Sequence, residues 1–118
     1  MANIMIVDDS RIFRKILRTL FSESGYEVVG EAGNGEEALK LMETVTPDII
    51  TLDITMPVMD GLETLKAIKE KYPKITVVMV SAAGQKSKVM EALKSGAADF
   101  IQKPFEPDDV LAVINKLA

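Results

Sequence analysis

The chain has 118 residues, of which 47% are hydrophobic and 27% charged, the balance of a globular protein about one domain in size. Its formal net charge is −4, so it lacks the basic excess by which most proteins bind nucleic acid. It contains no cysteine and no histidine, which excludes disulfides, thiolate or imidazole metal sites and catalysis by histidine.

The amino terminus leads directly into a strand-like segment. Residues 1–3 offer no basic stretch ahead of a long apolar one, so we expect no signal peptide. No apolar run approaches the roughly 20 residues that a membrane-spanning helix requires. We therefore expect a cytoplasmic protein that does not insert into membranes.

Five short apolar runs predict five β-strands. Four of the runs are nearly continuous rather than alternating in polarity, which is typical of parallel strands that helices cover on both faces. The predicted strands are residues 4–7, 26–29, 49–52, 77–80 and 99–101.

Helical patterns follow each run, so the order of elements predicts an α/β fold with a doubly wound parallel sheet. Asn34 and Asp60 are expected to cap the second and third helices, and Pro107 to open the fifth. The fourth is predicted over residues 86–94, ending at Gly96. The apolar residues expected to face inward on the first helix are Ile12, Phe13, Ile16, Leu17, Leu20 and Phe21; on the third, Leu62, Leu65, Ala67 and Ile68; on the fifth, Val110, Leu111, Ile114 and Leu117.

Polar residues follow four of the five runs. Asp8 and Asp9 come after the first run, Asp53 after the third, Ser81 after the fourth, and Lys103 shortly after the fifth. Because ligands of open α/β sheets bind at the carboxyl ends of the strands, we expect these side chains to converge.

Three carboxylates this close together repel one another, so they require protons or a cation at neutral pH. Mg2+ suits a site with few carboxylates, because it keeps several waters and leaves positions for phosphate oxygens. A lysine and a hydroxyl beside such a site favour phosphoryl transfer with a carboxylate as the covalent acceptor. A single aspartate or lysine at a strand end is usually a turn former or a solvated charge; their joint occurrence at one edge favours the functional interpretation.

Several short motifs resemble those of receiver domains of two-component response regulators. The resemblance extends over essentially the whole chain and is strongest to the stand-alone chemotaxis regulators. The segments are residues 6–10, 53–57, 59–61, 80–82 and 103–105. The resemblance implies a flavodoxin-like sandwich with five parallel strands in the order 2-1-3-4-5. We expect one receiver domain over residues 1–118, with no attached output domain.

The resemblance also implies the role of each site residue. Asp53 would be the phosphoacceptor. Mg2+ would be bound by Asp9, Asp53 and the backbone carbonyl of Thr55, with Asp8 acting mostly through water. Lys103 would pair with the phosphate, and the Ser81 hydroxyl would move to bond a phosphoryl oxygen.

The same resemblance implies a switch and partners. Phe100 holds the position of the switch aromatic and would rotate inward, and the peptide bond before Pro104 would be cis. The phosphodonor would be a separate histidine kinase (CheA-like). The target, such as a flagellar motor switch, would bind a monomer on the face of helix 4, strand 5 and helix 5, near Met90, Lys94 and Phe105. Met79 is expected in the core, and Met56 is expected to shape the loop after the acceptor.

Three alternatives remain open from the sequence. The chain could be the receiver of a longer transcriptional or enzymatic regulator. It could be a phosphatase with an aspartate nucleophile, although such enzymes of the haloacid-dehalogenase kind need a second acid where this chain has Thr55. It could be a flavodoxin-like electron carrier, although Asp8 and Asp9 stand where that phosphate loop needs hydroxyls and backbone donors.

Overall fold

A computed structural model describes residues 2–118 as five strands that alternate with five helices. The strands are β1 (Asn3–Val7), β2 (Glu27–Ala32), β3 (Ile49–Asp53), β4 (Thr76–Ser81) and β5 (Asp99–Gln102). The helices are α1 (Arg11–Glu23), α2 (Gly35–Leu41), α3 (Gly61–Lys71), α4 (Lys86–Lys94) and α5 (Pro107–Leu117). None of these helices has the length and apolarity needed to cross a bilayer.

All five strands pair in parallel, in the order β2-β1-β3-β4-β5. The predicted doubly wound α/β fold and its strand order are therefore confirmed. Strand order reverses between β1 and β3, which pair from Ile4 with Ile49 to Val7 with Leu52. Their carboxyl ends lie side by side at this reversal, where open α/β sheets bind ligands.

Two hydrophobic clusters cover the two faces of the sheet, which explains why the strands are apolar without alternation. Met5 and Leu52 pack on one face with α3 residues such as Leu65. On the other face, Ile4 and Ile6 pack with residues of α1 and α5.

The caps predicted at Asn34 and Asp60 are confirmed, and Ser10 adds a cap to α1. Side-chain oxygens of Ser10, Asn34 and Asp60 each accept a hydrogen bond from a backbone N–H three residues later. Gly96 adopts a φ of 111° after α4, and Pro107 begins α5. These contacts fix where the helices begin relative to the strand ends, and so fix the loops of the site.

The inward face of α1 is narrower than predicted. Leu17 and Phe21 are buried, but Ile12 is 74% exposed and Ile16 46% exposed, so the prediction is wrong for these two residues. Each isoleucine precedes a residue of the inward stripe by one position, and the 100° rotation between neighbouring residues turns it to the rim of that stripe. On α5 the burial is graded in the same way: Val110 and Ile114 are buried, whereas Leu111 and Leu117 are only partly covered.

Candidate functional site

Three carboxylates meet at the carboxyl edge of the sheet. Asp8 and Asp9 follow β1 directly, and Asp53 is the last residue of β3. Each contributes a carboxylate oxygen, and these oxygens all lie within 4.8 Å of one another. Asp8 and Asp53 are buried, whereas Asp9 is exposed and opens the cluster to solvent. The structure therefore brings together the three acids that the sequence places at neighbouring strand ends.

Lys103 reaches into this cluster from the loop after β5. Its Nζ lies 3.0 Å from Oδ2 of Asp8 and 3.7 Å from Oδ2 of Asp53. The ammonium also lies 3.9 Å from the centroid of the Phe13 ring, a cation–π contact that holds the lysine over the first turn of α1. One positive charge therefore faces three carboxylates, leaving a negative excess at the edge of the sheet.

Burial and like charge raise the pKa of the Asp53 carboxyl from 3.8 to about 6. Loss of hydration is the largest cause, and Asp8 and then Asp9 add repulsion. Lys103 and a hydrogen bond from the Thr55 backbone N–H act in the opposite direction. At pH 7 the carboxyl is therefore mostly ionised, as a nucleophile must be, but ionised at a cost in free energy.

Local contacts fix the direction of the Asp8 side chain. Its Oδ1 accepts a hydrogen bond from the Ser10 N–H at 2.9 Å, and its backbone N–H donates to the carbonyl of Ala32 on β2 at 3.0 Å. The Arg14 guanidinium donates to the Asp8 carbonyl. Asp8 is therefore held by the end of β2 and by the start of α1.

Gly61 lets α3 approach the acceptor strand closely. A Cβ at this position would lie 2.2 Å from the carbonyl oxygen of Asp53, and the Gly61 N–H donates to the Ile54 carbonyl at 2.7 Å. Any larger residue would push the loop after β3 away from the end of the strand.

Ser81 and Phe100 border a cavity of about 270 Å³ between α4 and β5. Ser81 is the buried last residue of β4, and Phe100 is 39% exposed. Met90 also lines this cavity and is 49% exposed, whereas Met79 and Met56 are buried. Ser81 and Phe100 thus line the same cavity.

The peptide bond between Lys103 and Pro104 is cis, as the resemblance implies. Sequence reasoning missed two residues of the site, Phe13 and Gln85. The helical pattern predicts Phe13 only as part of the buried stripe of α1, and no sequence motif marks its contact with the Lys103 ammonium. The Gln85 side chain forms hydrogen bonds with Thr55 and Ala82, and no sequence motif marks these contacts.

The arrangement fits a hard divalent cation. The converging side-chain donors are carboxylate oxygens, which Mg2+ prefers, and one side of the cluster faces solvent, where waters can complete a coordination sphere. A divalent charge would also offset the excess of three carboxylates over one lysine.

Comparisons with known proteins agree with this geometry. A family model described as the response regulator receiver domain matches residues 4–115. The chemotaxis protein CheY of Listeria monocytogenes is 50% identical over 100% of this chain and 99% of its own length. CheY of Bacillus subtilis is 46% identical over 96% of this chain and 94% of its own length.

A solved structure extends the likeness to three dimensions. The crystal structure of a CheX-CheY-BeF3-Mg complex from Borrelia burgdorferi matches with a TM-score of 0.93 and 38% identity, covering 98% of this chain and 87% of that one. On this sequence and structural evidence, the chain belongs to the family of response regulator receiver domains, the signalling domains of two-component systems.

Proposed function

We propose that this receiver acts in chemotaxis, as a regulator that accepts a phosphoryl group on Asp53 from a histidine kinase. The observation that carries the proposal is the partly buried cluster formed by the carboxylates of Asp8, Asp9 and Asp53 with the ammonium of Lys103. The full-length likeness to curated CheY proteins supports the assignment to chemotaxis.

The reaction needs a nucleophile on this chain and a phosphohistidine on another molecule, because this chain contains no histidine. A carboxylate oxygen of Asp53 attacks the phosphorus atom in line with the phosphorus–nitrogen bond of the donor. The new oxygen–phosphorus bond forms as the phosphorus–nitrogen bond breaks. The electron pair of the broken phosphorus–nitrogen bond stays on the donor imidazole, which takes a proton from solvent. The product is an acyl phosphate on Asp53.

Mg2+ would be held by the carboxylates of Asp9 and Asp53 and the backbone carbonyl of Thr55, with Asp8 acting mostly through water. When bound, the cation would supply charge that offsets the repulsion between a carboxylate and an incoming phosphoryl group. The likeness to a CheY crystallised with Mg2+ and BeF3 supports this assignment.

Lys103 and Ser81 would bind the phosphoryl oxygens. Lys103 already lies at 3.7 Å from the acceptor carboxylate, and Ser81 ends the strand beside β3. Movement of the Ser81 hydroxyl toward the phosphate would change the shape of the cavity that Phe100 also lines. Inward rotation of the half-exposed Phe100 ring would then shift the population of conformers on the outer face.

The target would bind the face formed by α4, β5 and α5. Met90 and Phe100 are the large apolar side chains exposed there. We propose that the protein is a cytoplasmic monomer in which residues 1–118 form one receiver domain. The donor would be a kinase of the CheA type, and a flagellar motor switch is a candidate target. Capture of partners with and without beryllofluoride and Mg2+ would identify the target.

The acceptor assignment is tested by incubation with acetyl phosphate and Mg2+, followed by measurement of acid-labile phosphate. Asp53→Asn should abolish incorporation, because an amide is too weak a nucleophile to form the acyl phosphate. Asp60→Asn is the matched control: it makes the same chemical change seven residues away, and asparagine can still cap α3. Normal labelling of Asp53→Asn would disprove the assignment.

Lys103→Ala tests the switch separately from the acceptor. It should still permit labelling of Asp53 but reduce the gain in target affinity that phosphorylation brings. Target affinity equal to that of the wild-type phosphoprotein would show that Lys103 does not couple the phosphate to the switch.

A further inference from the structure

Gln85 joins the two loops that flank the acceptor. It lies between β4 and α4, and its side-chain oxygen accepts a hydrogen bond from the Ala82 N–H at 2.7 Å. Its Nε2 donates to Oγ1 of Thr55, also at 2.7 Å and across 30 residues of sequence. Because a backbone N–H can only donate, the amide oxygen must face Ala82, and the amide nitrogen must therefore face Thr55.

Thr55 lies two residues after the acceptor, and its backbone N–H lowers the pKa of the Asp53 carboxyl. Hydrogen bonds run from the Thr55 side chain through Gln85 to the backbone of Ala82. The backbone carbonyl of Gln85 accepts a hydrogen bond from the Val89 N–H at 3.0 Å. This bond joins Gln85 to the first turn of α4.

The loop after β3 needs such a support. Thr55 and Val58 are exposed, and Val58 has a φ of 68°, a left-handed conformation that a β-branched residue rarely adopts. Pro57 has no N–H to donate. Backbone bonds of Ile54 and Gly61 hold the base of the loop, whereas no backbone hydrogen bond among the described residues reaches the Thr55 carbonyl.

We propose that Gln85 is a positioning residue for the reaction at Asp53, an inference that rests on the proposed function. Its amide holds the Thr55 side chain and, with it, the Thr55 carbonyl that the proposed function assigns to Mg2+. Gln85 acts through Thr55 and itself touches neither the cation nor the phosphoryl group.

Two isosteric substitutions isolate the bridge. Gln85→Met keeps the length and flexibility of the side chain but removes both hydrogen bonds. Thr55→Val keeps the β-branched shape and the backbone carbonyl but removes the accepting hydroxyl. Both positions lie at the surface of a loop, and thermal unfolding of each variant verifies that it folds. Gln102→Met is the control, because it makes the same change at an exposed residue of the same sheet edge, outside the bridge.

The measurement is the Kd for Mg2+ of the full chain, from titrations followed by backbone amide chemical shifts without a phosphodonor. Each single variant should raise the Kd about three- to tenfold, the size of one hydrogen bond's net contribution. The double variant should bind no more weakly than the weaker single variant, because either change alone breaks the bridge. Gln102→Met should bind as the wild type does.

An unchanged Kd in Gln85→Met, or effects that add in the double variant, would overturn the role of Gln85. The two proposals fail separately. Absence of acid-labile label on the wild-type chain would refute the proposed function. If the wild type is labelled but Gln85→Met leaves the Kd for Mg2+ unchanged, only this inference is refuted.

Discussion

The middle and the end of strand β3 serve opposite purposes, although both are buried. Ile50 and Leu52 contact apolar side chains of the neighbouring elements and are fully buried. Asp53, one residue further, buries a carboxylate beside two others, which raises its pKa to about 6. The middle of β3 therefore stabilises the folded protein, whereas its end destabilises it, because the acceptor chemistry needs crowded negative charge there.

The backbone around the acceptor shows the same contrast. Strand residues adopt regular parallel pairing, whereas Val58 in the following loop adopts a positive φ and closes a tight turn in which the Met59 N–H donates to the Pro57 carbonyl at 2.7 Å. A positive φ is rare and strained for a β-branched residue such as valine. The crowded charge and the positive φ thus both lie at the carboxyl edge of the sheet.

Removing apolar volume from the core should have the largest effect. Leu65→Ala, on the inner face of α3, should lower the free energy of unfolding by about 2–5 kcal/mol, because it leaves a cavity in a fully buried cluster. Leu62→Ala, at a partly covered position of the same helix, should cost clearly less. Urea unfolding measures both. Equal losses would contradict the view that the sheet faces supply the stability.

Removing the acceptor charge should have the next largest effect, with the opposite sign. In the metal-free wild type, the unfolded chain loses the Asp53 proton at about pH 4, whereas the folded protein keeps it to about pH 6. The free energy of unfolding should therefore fall through this range and stay lower above it, by at most about 3 kcal/mol.

Asp53→Asn should remove this decline, so the variant should be more stable than the wild type at pH 7 without Mg2+. The difference between the two proteins should shrink toward about pH 4. Urea unfolding across this pH range provides the measurement. A variant less stable than the wild type at pH 7 would show that the end of β3 carries no electrostatic cost.

A smaller gain is expected in the middle of β3. Oγ1 of Thr51 is buried and lacks a hydrogen-bond partner among the described residues. Thr51→Val replaces the hydroxyl by a methyl group of similar shape, which should raise the free energy of unfolding by about 1 kcal/mol. Thermal unfolding would detect this gain, and a loss of stability would show that the hydroxyl is satisfied in solution.

Relief of loop strain should give the smallest effect. Val58→Asn should stabilise the protein by about 0.5–1 kcal/mol, because asparagine tolerates positive φ better than a β-branched residue. Val58→Thr is a suitable control, because threonine is also β-branched and keeps the strain at this exposed position. An equal response of the two variants to thermal unfolding would argue against strain at Val58.

Much of the fold could be predicted because burial on two faces leaves a direct mark in the sequence. Continuous apolar runs identified β1, β3 and β4 within a residue or two of their observed ends. β2 was predicted too early and too short, because Gly30 and Glu31 interrupt the pattern; this strand lies at an edge of the sheet, where polar residues are tolerated. Alternation of strands and helices predicts a parallel sheet but not its order, which came from the family resemblance.

The candidate site was predictable in so far as strand ends determine it. Asp8, Asp9 and Asp53 follow strands that the topology makes neighbours, so their convergence follows from the fold. Gln85 and Phe13 were not predictable, because their roles depend on the path of a loop and on the reach of Lys103 across the sheet edge. Side-chain contacts between distant segments leave no periodic signal in the sequence.

The ionisation of Asp53 itself tests the central claim most directly. The side-chain carboxyl carbon of Asp53 can be followed by NMR as a function of pH, with and without Mg2+. Without Mg2+ the pKa should be about 6, and with saturating Mg2+ it should fall well below that value, because the cation stabilises the carboxylate. A pKa near 3.8 that Mg2+ leaves unchanged would contradict a crowded, cation-binding acceptor site.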